Sequence, residues 1–359
     1  MMLRTVLTAL VLAFGLASTA VAADADQRLV IVTLDGLHWR ELFQGADPAR
    51  AADRAFVNDP AATVKAYVEA PDRARFLMPF LHNVVARDGV LLGNRDQGSC
   101  VKVANDQWFS FPGYNEILSG RPDPAIRSNA FGPNPNVTVL EWLNGRTGFA
   151  GRVQAVTSWS VFADILNVGR SKLPVNAGWG GKAETPVDPM LARLEAGAPR
   201  IWPTVRLDAF TQAHALATLK VKRPRVLYVA YGETDDFAHD GRYDLTLEGA
   251  RRTDGFIAEL WAALQANPAY AGRTTMILTT DHGRGEGRPD AWKHHGKPMF
   301  AESDAAWIGV LGPGVRKPPV SMECATVGQV AATALAALGI DWRAFRADAA
   351  PPLDVFQPR

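Results

Sequence analysis

Three apolar runs in this chain stop at or just before a carboxylate. Leu29-Val-Ile-Val-Thr-Leu34 leads into Asp35, Val226-Leu-Tyr-Val-Ala-Tyr231 into Glu233 and Asp235, and Thr274-Thr-Met-Ile-Leu-Thr-Thr280 into Asp281. A run that is apolar throughout is the signature of a strand buried on both faces, which belongs in a parallel sheet covered by helices. In such a sheet, chemistry collects beyond the carboxyl ends of the strands. The position of these acids therefore constrains both the fold and the place to look for a site.

The remaining pattern agrees with that architecture. Further strands are expected over 89–92, 152–157 and 307–311, and helices over 138–144, 206–220, 245–264 and 326–338. Leu247, Ile257, Leu260 and Leu264 recur on one face of the third helix. Helical spacing is also present at Leu81, Val84 and Val85, and a helix is expected from Asn115 to a stop at Gly120-Arg-Pro122. Strand and helix alternate, so the expected class is α/β: a mostly parallel central sheet sandwiched between helices, with loop insertions. The Gly-, Pro- and Ala-rich stretch 169–203 is the expected substrate-side excursion; its Trp179 and Trp202 are expected to pack. With 359 residues, 47% of them hydrophobic, and no internal repeat or low-complexity linker, one domain over 23–359 is expected.

The preceding segment, 1–22, reads as a cleavable signal peptide. Arg4 supplies the charge, Val6–Leu16 the apolar stretch, and Ala20-Val-Ala22 a small-residue cleavage site. The apolar stretch is short for a membrane span, so a periplasmic or secreted protein without a stable membrane anchor is expected. Cys100 and Cys324, the only cysteines, permit one disulfide in an oxidising compartment and are too few for a thiolate metal site. With 38 basic and 37 acidic residues, the net charge of +1 offers no excess for nucleic acid or an anionic membrane.

Four of the seven histidines sit beside the strand-end acids or near them: His239, His282, His294 and His295. Asp235 and His239 face one point if the intervening chain is helical. Asp281-His282-Gly283 follows a strand directly. Asp and His are hard-to-borderline ligands suited to divalent ions. Asp35, Asp235, Asp281 and three histidines make six ligands, enough for two metal ions with three protein ligands each. Ser110, two residues before Pro112, suits the first turn of a helix. There it is either an ordinary cap or a nucleophile whose developing charge the helix N-terminus and a metal favour.

The order of these motifs resembles the alkaline phosphatase superfamily, most closely its nucleotide pyrophosphatase/phosphodiesterase-like branch. The matching pieces are Asp35-Gly36, Ser110-Phe-Pro112, Glu233-x-Asp235-x-x-x-His239, Asp281-His282-Gly283 and His295-Gly296. The resemblance implies two zinc ions, one held by Asp235, His239 and His295 and the other by Asp35, Asp281 and His282. Ser110 would be the nucleophile and bind metal too. His295 is preferred to His294 because the family's last ligand precedes a glycine. Asn129 is the best match for the asparagine that donates to the phosphoryl oxygen, with Asn115 as competitor. Two departures stand out: Ser110 replaces the branch's usual threonine, and Gly113 replaces its usual asparagine.

The expected function is therefore hydrolysis of a small-molecule phosphate mono- or diester through a covalent phosphoserine. Arg170 and Lys172, candidates for gripping a monoester dianion, are expected to be loop charges instead. Two alternatives remain. A sulfatase would carry C/S-x-P-x-R, but Tyr114 stands where the arginine should be. A non-catalytic, metal-containing exported binding protein would be expected to have lost Ser110.

Overall fold

The computed structural model describes residues 27–180, 188–318 and 323–357; the leader expected over 1–22 lies outside the described residues. The strands are β1 (Arg28–Leu34), β2 (Val90–Leu92), β3 (Val101–Lys102), β4 (Val153–Thr157), β5 (Val175–Ala177), β6 (Val226–Tyr231), β7 (Thr274–Thr279), β8 (Ala305–Ala306), β9 (Ile308–Leu311) and β10 (Ala325–Thr326). Seven of them form the main sheet in the order β2-β9-β7-β1-β6-β4-β5. The five from β7 to β5 run parallel, while β9 is antiparallel to both β7 and β2.

The three acid-tipped strands are the three at the centre. Leu34 of β1 pairs with Tyr231 of β6, and Thr33 with Thr279 of β7, so all three end on one edge at one level. Alternation along β1 sends Leu29 and Ile31 into one core and Val30, Val32 and Leu34 into the other. The first core packs under the helices Ser110–Ser119 and Gln329–Ala337, and the second under Asp208–Lys222 and Tyr243–Ala266. Each fully buried Leu, Ile or Val contributes roughly 1.5–3 kcal/mol, so these two cores hold the strand ends rigidly.

Local boundaries moved for identifiable reasons. The helix expected from Asn115 begins at Ser110, because Pro112 sits in the first turn, where its missing N–H costs nothing. The long helix runs Tyr243–Ala266 and ends ahead of Pro268, which disfavours helical geometry at Asn267. The 169–203 excursion contains β5, which extends the sheet beside β4, and a helix over Pro189–Gly197. As expected, its tryptophans pack: Trp179 Nε1 donates to the carbonyls of Trp202 and Val205, and Trp202 lies 4.7 Å from the Phe237 ring.

A second sheet, β10-β3-β8, flanks the entry to the Ser110 helix. The Cys100–Cys324 disulfide closes across β3 and β10, where the Ala325 N–H also donates to the Cys100 carbonyl. No helix among the described residues is long and apolar enough to cross a membrane.

Candidate active site

The strand register delivers Asp35 and Asp281 side by side. The Gly36 N–H donates to Asp281 Oδ1 at 3.1 Å, and His282 Nε2 lies 3.3 Å from Asp35 Oδ1 and 3.4 Å from Asp281 Oδ2. All three residues are buried. His282 Nδ1 donates to the Gly283 carbonyl at 2.9 Å, which turns Nε2 toward the two carboxylates.

The second trio assembles next to the first. Beyond β6 the helix Glu233–His239 places Asp235 Oδ2 3.1 Å from His239 Nε2. His239 Nε2 faces His295 Nε2 at 3.0 Å, and His295 Nε2 is 3.6 Å from Asp235 Oδ1. The His282 and His295 rings stack with centroids 3.8 Å apart, joining the trios. His294, by contrast, is turned toward Phe300, its ring 6.1 Å from that of His239. The cluster is closed at His282 and open to solvent at His239.

This donor set fits divalent cations. Asp35 Oδ1, Asp281 Oδ2 and His295 Nδ1 are buried without a hydrogen-bond partner, an unfavourable state for carboxylate oxygens unless a cation meets them. Separations of 3.3–3.4 Å around His282 Nε2 are long for hydrogen bonds. They match the edge of a tetrahedron with ligand bonds of about 2.0–2.1 Å. Asp235, His282 and His295 converge, as do Asp35, Asp281 and His282.

The electrostatics agree. Burial, and then the Asp235 charge, push Asp35 up; burial and the Asp35 charge push Asp281 well above the carboxylate range. Burial opposes charge on His282, but Asp281 and Asp35 raise it to about 9. Burial and neighbouring His282 keep His295 well below the usual imidazole value, and so neutral. Asp235 is the exception among the acids. Burial acts to raise it, yet Arg284, His239 and His295 hold it well below its ordinary value.

Ser110 is not a cap. The capping position is Phe109, and the Ser110 hydroxyl instead lies 3.3 Å from His282 Nε2. Asn129 reaches the same helix start: its Oδ1 accepts from the Phe111 N–H at 2.9 Å. Asn115, the competing candidate, is consumed elsewhere. Its Oδ1 accepts from the amides of Asn134 and Asn136, and its Nδ2 donates to the Arg121 carbonyl. Gly113 also has a reason: a Cβ there would lie 2.3 Å from the Asp281 carbonyl oxygen. The Ser110 helix thus rests directly on the backbone of the Asp281 turn, where an asparagine would collide.

Several supporting residues carry no sequence signal of their own. The Tyr114 hydroxyl donates to Asp35 Oδ2 at 2.9 Å, and the Thr234 hydroxyl donates to the Asp35 carbonyl at 2.5 Å. Asp208 accepts from the N–H groups of Gly232 and Glu233 and so caps the helix that carries Asp235 and His239, while Glu233 accepts from the Asp208 N–H and from Arg252. Arg284 holds Asp235; its place directly after Asp281-His282-Gly283 was the one hint available. Arg170, read as a loop charge, is tied to Glu141 and to the carbonyls of Asn134, Pro135 and Asn136.

A family model described as type I phosphodiesterase / nucleotide pyrophosphatase matches residues 102–336. A 2,3-bisphosphoglycerate-independent phosphoglycerate mutase from Gloeobacter violaceus is 27% identical over 134 residues. That match covers 35% of this chain and only 24% of the mutase. Among solved structures, wild-type alkaline phosphatase PafA aligns with a TM-score of 0.58 at 10% identity, over 92% of this chain and 99% of that one. A putative sulfatase from Bacteroides thetaiotaomicron aligns at 0.55 and 15% identity, over 93% and 76%. The lipoteichoic acid synthase LtaP from Listeria monocytogenes aligns at 0.55 and 11%, over 89% and 73%. At these identities the structural likeness concerns the fold.

Proposed function

The chain belongs to the type I phosphodiesterase / nucleotide pyrophosphatase family, and on that premise we propose that it is an exported hydrolase of small-molecule phosphate esters that works with two zinc ions and a covalent phosphoserine. The observation that carries this reading is the position of Ser110. Its hydroxyl stands at a helix start, 3.3 Å from His282 Nε2, the imidazole nitrogen that faces Asp35 and Asp281.

Asp235, His239 and His295 would hold one ion and Asp35, Asp281 and His282 the other, with Ser110 alongside the second. Bound there, the ions would supply Lewis-acid stabilisation of phosphoryl oxygens and make a serine hydroxyl easier to deprotonate. The Ser110 oxygen, having passed its proton to solvent, attacks phosphorus in line with the leaving oxygen, forming the phosphoseryl bond as the ester P–O bond breaks and the leaving oxygen takes a proton from water. Asn129 is braced through Oδ1, which leaves its Nδ2 to donate to a non-bridging oxygen. The N-terminus of the Ser110–Ser119 helix favours the same negative charge. Water then attacks phosphorus from the side the leaving group vacated, and Ser110 recovers its proton as phosphate departs. The His239 side is open, so the leaving group is expected to extend there.

A sulfatase reading is disfavoured by Tyr114. At the place of that motif's arginine stands a buried phenol whose hydroxyl serves Asp35. The deciding experiment compares hydrolysis of p-nitrophenyl phosphate, bis-p-nitrophenyl phosphate and p-nitrophenyl sulfate, with chelator and with zinc restored. Chelator-sensitive phosphoester turnover is expected. Preferred sulfate turnover would point to a sulfatase, and metal binding with no turnover of any ester would point to the binding-protein reading.

A further inference from the structure

Asp235 is held from behind. Arg284, 3% exposed, donates through Nη2 to both the Asp235 carbonyl at 2.7 Å and Asp235 Oδ1 at 2.5 Å, while its Nη1 reaches the Lys293 carbonyl at 3.3 Å. Room for this fork comes from Gly36. With φ +57°, its position would put a Cβ 2.5 Å from Asp235 Oδ1 and 3.2 Å from Arg284 Nη2. Asp235 Oδ1 lies 3.9 Å from His282 Nε2, which belongs to the other trio, whereas Oδ2 faces His239 at 3.1 Å. Arg284 occupies Oδ1, which lies 3.6 Å from His295 Nε2, and leaves Oδ2 to face His239.

Behind Arg284 is a cavity with room for one water, about 10 Å³, lined in part by His38, Glu41, Arg284 and Trp292. These four lining residues carry buried polar atoms without a hydrogen-bond partner: both ring nitrogens of His38, Glu41 Oε2, Arg284 Nε and Trp292 Nε1. Two are obligate donors, Arg284 Nε and Trp292 Nε1, and one is an acceptor, Glu41 Oε2. A cavity of this size, with two to four polar partners within reach, is suited to a single ordered water. Glu41 in turn is fixed through Oε1 by Arg50 at 3.2 Å and by the Tyr243 hydroxyl at 3.0 Å.

We propose that Arg284 is a positioning residue that fixes the Asp235 carboxylate with Oδ2 toward His239, and that one buried water behind it links it to Glu41 and Trp292. The water accepts from Arg284 Nε and Trp292 Nε1 and donates to Glu41 Oε2. Arg284 is thereby anchored at both ends, by Asp235 in front and by the water behind. This rests on the reading of Asp235 as a metal ligand.

The test uses the full chain, stripped with chelator and titrated with Zn²⁺ against a chromophoric chelator, so no turnover is needed. In Arg284→Met, one of the two zinc dissociation constants should weaken by about 10- to 100-fold, the range seen when a ligand's outer partner is lost. The other should stay put. Arg284→Lys, which keeps the charge without the fork, should fall between. A parent that binds no zinc would overturn the two-zinc reading and this one together. A parent that binds two ions, with both constants unchanged in Arg284→Met, would overturn this one alone, whatever happens to thermal stability. A crystal structure of the parent must also show a water within hydrogen-bond distance of Arg284 Nε; a dry cavity removes that part of the proposal, even if the variants fail to fold.

Discussion

Ser110 Oγ stands 3.3 Å from His282 Nε2, although 172 residues separate them in the chain. The contact joins the start of a helix on one face of the sheet to the turn that leaves its central strands. Ser110→Ala removes only this oxygen. Phosphoester turnover should fall by at least about 10³-fold, as expected for loss of a nucleophile, with zinc stoichiometry and melting temperature within error of the parent. Burst kinetics and phosphoserine trapping would be read in parallel; turnover persisting in the variant would exclude Ser110 as the nucleophile.

The bond from Tyr114 to Asp35 makes a second prediction. Tyr114→Phe keeps the buried ring, which sits 4.5 Å from Phe162, and deletes the donor at Asp35 Oδ2. Zinc held by the Asp35, Asp281 and His282 trio should bind about 10-fold more weakly, while the Asp235 side is unaffected. Chelator competition resolves the two ions. Equal affinities in variant and parent would reduce Tyr114 to packing.

Gly113 allows the Ser110 helix to touch the Asp281 backbone. In Gly113→Ala the new Cβ would meet the Asp281 carbonyl oxygen at 2.3 Å, so the helix must retreat. Displacements of about 1 Å at reacting groups cost on the order of 10²-fold in rate. A fall of that size in kcat, with the variant still folded by circular dichroism, is expected. Full activity would mean that the helix position is not critical.

Cys100 and Cys324 are 224 residues apart in sequence, so their disulfide closes a very long loop. The chain-entropy argument puts the effect of such a crosslink near its upper range, about 5 kcal/mol. Since about 1 kcal/mol shifts the melting temperature of a large domain by about 2–4 °C, reduction should lower it by about 10–20 °C. Calorimetry with and without reductant checks this, and an unchanged transition would show that the second sheet is held by other contacts.

Asp254 gives a pH-dependent term away from the site. Its carboxyl accepts from the N–H groups of Phe80 and Leu81, and burial nevertheless raises it from 3.8 to about 6. A raised carboxyl pKa means that the folded state binds the proton more tightly than the unfolded chain. Its contribution is therefore most favourable below the unfolded value and declines as pH rises from about 4 to about 6. Two pKa units correspond to at most about 3 kcal/mol. Asp254→Asn should gain stability relative to the parent across that interval, measured by urea midpoints at each pH. A constant difference between the two proteins would contradict the assignment.

What the sequence by itself determined is the frame and its chemical stations. Apolar runs ending at Asp35, near Asp235 and at Asp281 sufficed to place three central parallel strands, because burial on both faces leaves a continuous hydrophobic pattern. The strand over Val226–Tyr231 needed no correction, and the helix over 245–264 moved by only a few residues. Of the candidate site residues, Asp35, Ser110, Asp235, His239, Asp281 and His282 could be named before any coordinates, through motif order and family likeness.

Only the tertiary structure decided which members of ambiguous pairs turn inward: His295 over His294, and Asn129 over Asn115 at the start of the Ser110 helix. It also decided the supporting shell. Tyr114 meets Asp35 across 79 residues and Arg284 meets Asp235 across 49. The physical reason is range. Strand and helix periodicity is written in neighbouring residues, whereas a buried arginine or phenol becomes functional only when strand register and helix packing bring its partner within 3 Å.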